Sequence, residues 1–154
     1  MSPTLTLNET RVPVSLAGSR TRDIAHYLTA TGRIVFGLMF FVFGLNGFLD
    51  FLPQSTTPIP ERAMAFAGAL MATGYMMPLI FGTQLMAGLM FLTNRFVPLA
   101  LVLLAPFVVN SVAFHIFLAP TGRSMAVLVL AIELALVWAH RRAYRTLLTP
   151  RTTI

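Results

Sequence analysis

Several side chains that could bind a ligand or transfer a proton lie inside long apolar runs, where polar groups are costly and therefore informative. Asn46 and Asp50 are four residues apart and so share one face of a helix. Asn110 and His115 lie toward the end of a later apolar run. If both runs cross a bilayer, about 1.5 Å of rise per residue places both pairs in its outer half. Antiparallel neighbours at equal depth can meet inside a bundle, so we expect His115 to point into the interior.

Four further residues complete the set of candidates for ligand binding or proton transfer. Glu61 and Arg62 open a short helical stretch, Tyr75 follows it, and Glu133 lies near the middle of the last apolar run. The whole set is Asn46, Asp50, Glu61, Arg62, Tyr75, Asn110, His115 and Glu133. A carboxyl group in mid-membrane is either protonated or paired. We expect His115 to lie near Asp50 or Glu133, and the sequence leaves both partners open.

This set supports two kinds of chemistry and one structural alternative. Carboxylates, an imidazole and amides gathered toward one face can hold a small polar headgroup, or they can carry protons through His115 and a carboxylate. The alternative is that amides such as Asn46, Asn110 and Gln84 only join helices, at about 0.6–2 kcal/mol per hydrogen bond. No residue is assigned a catalytic role on this basis.

Composition excludes several other functions. The chain has no cysteine, which removes disulfides, thiolate metal sites and catalytic thiols. Its three histidines are not paired at the spacing of a zinc site, no motif indicates haem ligation, and no glycine-rich phosphate loop is present. We therefore expect no metal and no evident cofactor. The net charge of +6 stands on a chain that is 56% hydrophobic, which is typical of contact with lipid headgroups and not with nucleic acid.

The apolar runs predict an all-α integral membrane protein. Only 10% of the residues are charged, and the mean hydropathy is +0.78. A hydrocarbon core of about 30 Å needs about 20 residues of helix, and four segments come near that length: 33–52, 77–92, 96–118 and 124–140. The sequence thus predicts a four-helix bundle over 33–145, between a partly flexible tail (1–32) and a C-terminal tail (146–154). A short helix at about 60–73 is expected as a re-entrant or interfacial element on the outer side.

The arginines predict the orientation, because cytoplasmic loops are rich in basic residues. With both termini cytoplasmic, nine arginines lie inside, including Arg95 in the turn between the second and third spans. Only Arg62 and Arg123 lie outside. A five-span arrangement would place the C-terminal arginines outside. We therefore expect a multi-pass protein with four spans and both termini in the cytoplasm.

Part of the third span and the turn after it resemble a known family. Asn110 and the segment Phe114-His115-x-Phe117-Leu118-Ala119-Pro120, together with Ala72-Thr73-Gly74-Tyr75-Met76-Met77-Pro78, are similar to the DoxX-like family of small bacterial membrane proteins. The resemblance covers roughly residues 30–145. It implies a four-helix protein of the bacterial inner membrane, linked to a membrane redox system, with a quinone as the cofactor. The absence of cysteine departs from the relatives that handle thiols, so no thiol exchange is expected.

Three functions follow as hypotheses. The first, from the resemblance, is an accessory component of a membrane redox or quinone-linked system, with a membrane or redox protein as partner and no catalysis of its own. The second is a small carrier or binder of a lipophilic ligand that uses the outer polar cluster. The third is a membrane enzyme in which His115 and a carboxylate transfer protons. The bilayer is a partner in all three, nucleic acid in none, and a homo-oligomer is compatible with each.

Overall fold

The computed structural model describes residues 16–53 and 58–144. Over these two ranges the chain is all-α and contains no strand. Its helices are α1 (Leu16–Leu49), α2 (Glu61–Ala72), α3 (Met76–Leu92), α4 (Val97–Phe117), α5 (Arg123–Ala139) and the single turn α6 (Arg141–Tyr144), with a 3-10 turn at Pro120–Gly122 leading into α5.

Three or four of these elements are long and apolar enough to cross a membrane. The stretch of α1 from Asp23 to Leu49 qualifies, as do α4 and the stretch Pro120–Ala139. The helices α2 and α3 qualify as a pair, bent by 91° at the break between them. By the length and composition of its helices, the chain is a multi-pass membrane protein.

The bend between α2 and α3 has a local cause in the sequence. Gly74 follows α2 with a φ of 75°, a left-handed conformation that costs glycine no steric strain. The Thr73 hydroxyl donates to the carbonyl of Leu70 at 2.6 Å and accepts the Met76 N–H at 3.1 Å. One threonine thus ends α2 and caps the start of α3, which fixes the sharp angle between them.

Helices α1 and α3 approach closely enough for their backbones to touch. A Cβ atom added at Gly88 would lie 2.5 Å from the backbone nitrogen of Phe41, and one at Gly44 would lie 2.5 Å from that of Leu85. A Cβ at Gly37 would lie 2.7 Å from the Cβ of Phe91. Small residues permit this packing between membrane helices, where dispersion replaces the hydrophobic effect as the driving force. We call it the glycine contact.

The four long helices form a ring, in which α1 contacts α3 and α5, and α4 also contacts α3 and α5. The buried core lies at one end of this ring, near the turn that contains Arg95. Its largest fully buried side chains are Phe36, Phe91, Leu101, Leu104 and Val108. We call this part of the bundle the packed half, and the opposite part, toward Asp50 and the ends of α1 and α4, the cavity half.

The packed half ends in a tight connection between α3 and α4. Asn94 and Phe96 both adopt left-handed backbone conformations, with φ of 56° and 57°. The guanidinium of Arg33 on α1 donates a hydrogen bond to the carbonyl of Phe91, in the last turn of α3. A cation at a helix C-terminus stabilises the helix dipole, so Arg33 ties α1 to the end of α3.

Helix α4 carries a proline in its interior, at Pro106. Proline has no N–H, so the carbonyl of Val102, one turn earlier, receives no helical hydrogen bond. Pro106 falls between Leu104, which is in the core, and Phe107, which lines the cavity described below.

The largest difference from the sequence-based expectation is at the N-terminus. Residues 1–32 were expected to form a partly flexible tail, but the helix of the first span begins at Leu16 and is continuous to Leu49. It is longer because no proline interrupts the chain between Pro13 and Pro53. Residues 1–15, and the expected C-terminal tail at 146–154, lie outside the described residues.

Candidate functional site

The cavity half contains a partly open cavity of about 970 Å³, and its lining residues Asp50 and Asn110 are exposed. Its walls come from α1, α3, α4 and α5, and α2 lies across it with Phe66 and Leu70 among the lining residues. The ring of Phe66 packs against that of Phe114 on α4, with 5.7 Å between their centroids. Helix α2 therefore covers the cavity and is anchored to its wall by an aromatic contact.

Polar groups from three helices and the end of α1 line this mostly apolar cavity. They are Asn46, Asp50, Gln84, Asn110, Ser111 and His115. Four of them belong to the predicted set, and the structure brings these four to one cavity. Counting the helix rise predicted one depth for these four residues, and the arrangement of the helices brings them to the wall of the same cavity.

Gln84 is the most deeply buried of these polar groups. It lies on α3 and is 5% exposed. Gln84 lines the cavity, so a molecule bound there could accept a hydrogen bond from its side-chain amide.

Asn46 has a structural partner at the end of α1. Its Oδ1 accepts the backbone N–H of Leu52 at 2.7 Å, and its own carbonyl accepts the N–H of Asp50 at 2.8 Å. Asp50 adopts a left-handed conformation with φ of 45°, which ends the helix. Asn46 thus fixes the chain reversal that carries Asp50 to the rim of the cavity, while its amide N–H group is left for a ligand.

His115 lies at the border between two cavities. Its Nδ1 is 3.0 Å from the carbonyl oxygen of Ala119, and its ring packs against the backbone of Gly122. It lines the large cavity and also a second one of about 410 Å³ beside Pro58 and Pro60. The imidazole is therefore held by a backbone carbonyl where the large cavity meets the smaller one.

The two expected partners of His115, Asp50 and Glu133, lie in different parts of the bundle. Asp50 lines the same cavity as His115. Glu133 lies three helical turns beyond Gly122 along α5, or about 16 Å. Glu133 is not among the residues that line the cavity, whereas Asp50 and His115 both are. The pairing of His115 with Asp50 or Glu133 stays a prediction.

The remaining predicted residues lie away from the cavity. Glu61, Arg62 and Tyr75 are exposed, at the first turn of α2 and at the break after it. Glu133 is 4% exposed in the bundle interior. Sequence reasoning missed Ser111, whose only signal is its position one residue after Asn110, and treated Gln84 as a residue that joins helices.

The charges at the cavity are unequal. Asp50 is the one carboxylate among the lining residues, and none of them is an arginine. A ligand with an anionic head would meet amides and an acid there, with no cation to pair with it. The arrangement therefore favours a neutral head that accepts hydrogen bonds.

Comparison with known proteins identifies no relative: no protein-family model, no curated protein and no solved structure matches this chain. The resemblance to the DoxX-like family thus stays a prediction. Across residues 16–53 and 58–144, no group of histidines and acidic residues could hold a metal ion.

Proposed function

We propose that this protein binds a neutral lipophilic molecule in the large cavity, with the head of the ligand hydrogen-bonded to Gln84. The observation that carries the proposal is the position of Gln84, a polar residue only 5% exposed, in the wall of a cavity of about 970 Å³. Ligand sites are typically about 300–1,000 Å³, mostly apolar, and carry a few placed polar groups.

The wall explains how such a ligand would be held. Phenylalanines such as Phe40, Phe81 and Phe107 supply apolar surface for a hydrocarbon or a ring. The amides of Gln84 and Asn110 are the donors that would orient carbonyl or ether oxygens. A quinone, the cofactor implied by the DoxX-like resemblance, has this character, so an accessory role in a quinone-linked system is compatible with binding here.

Proton-transfer catalysis is the weaker candidate. His115 engages its Nδ1 with the Ala119 carbonyl at 3.0 Å, which gives the ring a structural function. A proton-transfer pair would also need a substrate atom between its members. Binding alone accounts for the cluster without a reaction.

The membrane arrangement is part of the proposal. We propose four spans, formed by α1, α3, α4 and α5, with α2 as the interfacial helix over the cavity. The 91° bend supports this, because it turns α2 across the end of the bundle. The arginine distribution favours a cytoplasmic packed half and cytoplasmic termini, in a bacterial inner membrane.

A binding measurement on the full chain tests the ligand class. The probe is decyl-benzoquinone, titrated in detergent and followed by native mass spectrometry. We expect one bound molecule per chain, and about tenfold weaker binding for Gln84→Leu, since loss of one hydrogen bond of about 1.4 kcal/mol corresponds to that factor. The matched control is Thr83→Val on the same helix, because Thr83 is not among the lining residues.

Two results would overturn the proposal. One is equal binding by Gln84→Leu and wild type, which would place the ligand elsewhere. The other is preferential binding of decanoic acid, an anionic probe of matched length. That result would show that Asp50, the one carboxylate among the lining residues, does not control selectivity.

A further inference from the structure

The packed half contains a buried acid that ligand binding in the large cavity does not use. Glu133 lies on α5 and is 4% exposed. Its Oε1 atom is fully enclosed and has no hydrogen-bond partner in the described part of the chain. Val129, one turn earlier on the same face of α5, lines the large cavity. Glu133 is therefore one helical turn beyond the cavity, toward the packed half.

The elements around Glu133 supply no cation to pair with it. Helix α4 presents Leu101 and Leu104 to the core, and α1 presents Phe36 and Phe40. At the end of α3, the carbonyl of Phe91 accepts a hydrogen bond from the guanidinium of Arg33 on α1. Within the described ranges, no arginine or histidine donates a hydrogen bond to the enclosed Oε1 atom of Glu133.

The titratable groups beyond the end of α5 are also engaged elsewhere. His140 places its Nδ1 2.9 Å from the Leu136 carbonyl, and Arg141 lies over the ring of Trp138, 4.2 Å from its centroid. The Tyr144 hydroxyl donates to the carbonyl of Pro98 at 3.0 Å. Burial, and secondarily the nearby Glu133 carboxyl, raises the pKa of Tyr144. Tyr144 is thus the titratable neighbour whose pKa responds to Glu133, and it carries no positive charge.

We propose that Glu133 is a proton-binding site inside the membrane, occupied as a neutral carboxylic acid at pH 7. A carboxylate whose fully enclosed Oε1 atom accepts no hydrogen bond is strongly disfavoured, whereas the protonated acid carries no net charge to desolvate. The ligand of this site is a proton. The site is distinct from the large cavity, and it goes beyond the proposed ligand binding.

The neutral acid has a distinctive reactivity that can be measured. Dicyclohexylcarbodiimide is apolar and enters membranes. The acid gives its proton to one carbodiimide nitrogen while its oxygen bonds to the central carbon, and the O-acylisourea so formed rearranges to a stable N-acylurea. The whole reagent is added and nothing leaves, so the peptide gains the full mass of the carbodiimide. An ionised carboxylate lacks the proton that this addition needs.

The experiment uses the full chain in lipid vesicles at pH 7 and has two readouts. Peptide mass spectrometry should find the adduct on Glu133 and not on the exposed Glu61. The infrared spectrum should contain a carboxylic acid C=O band that disappears in Glu133→Gln. That variant should fold as wild type, because a neutral amide replaces a neutral acid of nearly the same shape.

Either the adduct or the infrared band at pH 7 supports the site. Absence of both shows that Glu133 is ionised and overturns the proposal. If Glu133→Gln fails to fold, carbodiimide labelling of the wild-type chain tests the proposal by itself, because peptide labelling needs no variant. If decyl-benzoquinone does not bind although Glu133 is found protonated, the ligand proposal is contradicted. The proposal of a proton-binding site at Glu133 is then unaffected.

Discussion

The two halves of the bundle are built from equally apolar sequence but differ in how they fill space. In the packed half, Phe91, Leu101 and Leu104 are fully buried against one another. In the cavity half, the same helices surround about 970 Å³ of open volume lined by amides, an acid and an imidazole. Dense packing and open volume thus lie at opposite ends of the same four helices.

The glycine contact explains why the cavity opens where it does. It keeps the α1 and α3 backbones together from Gly37 to Gly44 and beyond, so these two helices cannot separate. The space therefore lies between this pair and the helices α4 and α5, and α2 covers it.

The first prediction concerns whether the two ends face opposite sides of the membrane, and its expected effect is all-or-none. Thr73 and Thr93 are a matched pair of exposed C-cap residues at the ends of α2 and α3. Because the chain lacks cysteine, Thr73→Cys and Thr93→Cys each place one thiol at one end. A membrane-impermeant maleimide should label Cys at 73 in intact cells, and Cys at 93 only after lysis. Equal labelling of both would contradict the four-span arrangement.

The second prediction compares one substitution in each half. Leu104→Ala removes a fully buried side chain and should cost about 2–5 kcal/mol of unfolding free energy. Leu70→Ala enlarges a cavity that is already open and should cost about 1 kcal/mol or less. Unfolding in mixed micelles measures both. If the two losses were equal, the division between packed and open halves would fail.

The third prediction tests the glycine contact. Gly88→Ala puts a Cβ atom 2.5 Å from the backbone of Phe41 and should destabilise the protein by about 1–3 kcal/mol. The control is Gly82→Ala on the same helix, where nothing lies within 4 Å of the added atom. Because alanine favours helix over glycine, the control should be neutral or stabilising by up to about 1 kcal/mol. Thermal unfolding in detergent separates them, and the reverse order would disprove the contact.

The smallest expected effect is a pH dependence in the packed half. Burial raises the pKa of Tyr144 above its ordinary value of 10.0, so the folded state holds this proton more tightly than the unfolded state. Its contribution is complete below pH 10 and is lost as the pH rises through the folded-state pKa. Tyr144→Phe should therefore flatten the alkaline loss of stability. An unchanged profile between pH 9 and 12 would exclude this contribution.

The positions of the helices could be predicted where long apolar runs exist. The third predicted span, 96–118, corresponds to α4 at Val97–Phe117, because a run of that length permits little else in a membrane. The start of α1 could not be predicted, because residues 16–30 mix serine, threonine and arginine and resemble a tail in composition. Their helix depends on the absence of proline, which is a weaker signal than a sustained apolar run.

Depth in the membrane could be predicted for the site, but rotation could not. Asn46 and His115 were placed in one layer by counting residues, and they line one cavity. Helices α3 and α4 are apolar on nearly all sides, so their sequence does not show which face looks inward. For that reason Gln84 could not be assigned to the cavity, and Glu133 could not be separated from His115.

Pro106 gives α4 unequal stiffness along its length. Leu101 and Leu104 before it and Val108 after it are buried in the core, while Phe107 and Asn110 border open volume. The missing hydrogen bond makes α4 easier to bend at this point than elsewhere along its length. A bend at Pro106 changes the position of Phe107 and Asn110 relative to Leu101 and Leu104, and so changes the width of the cavity.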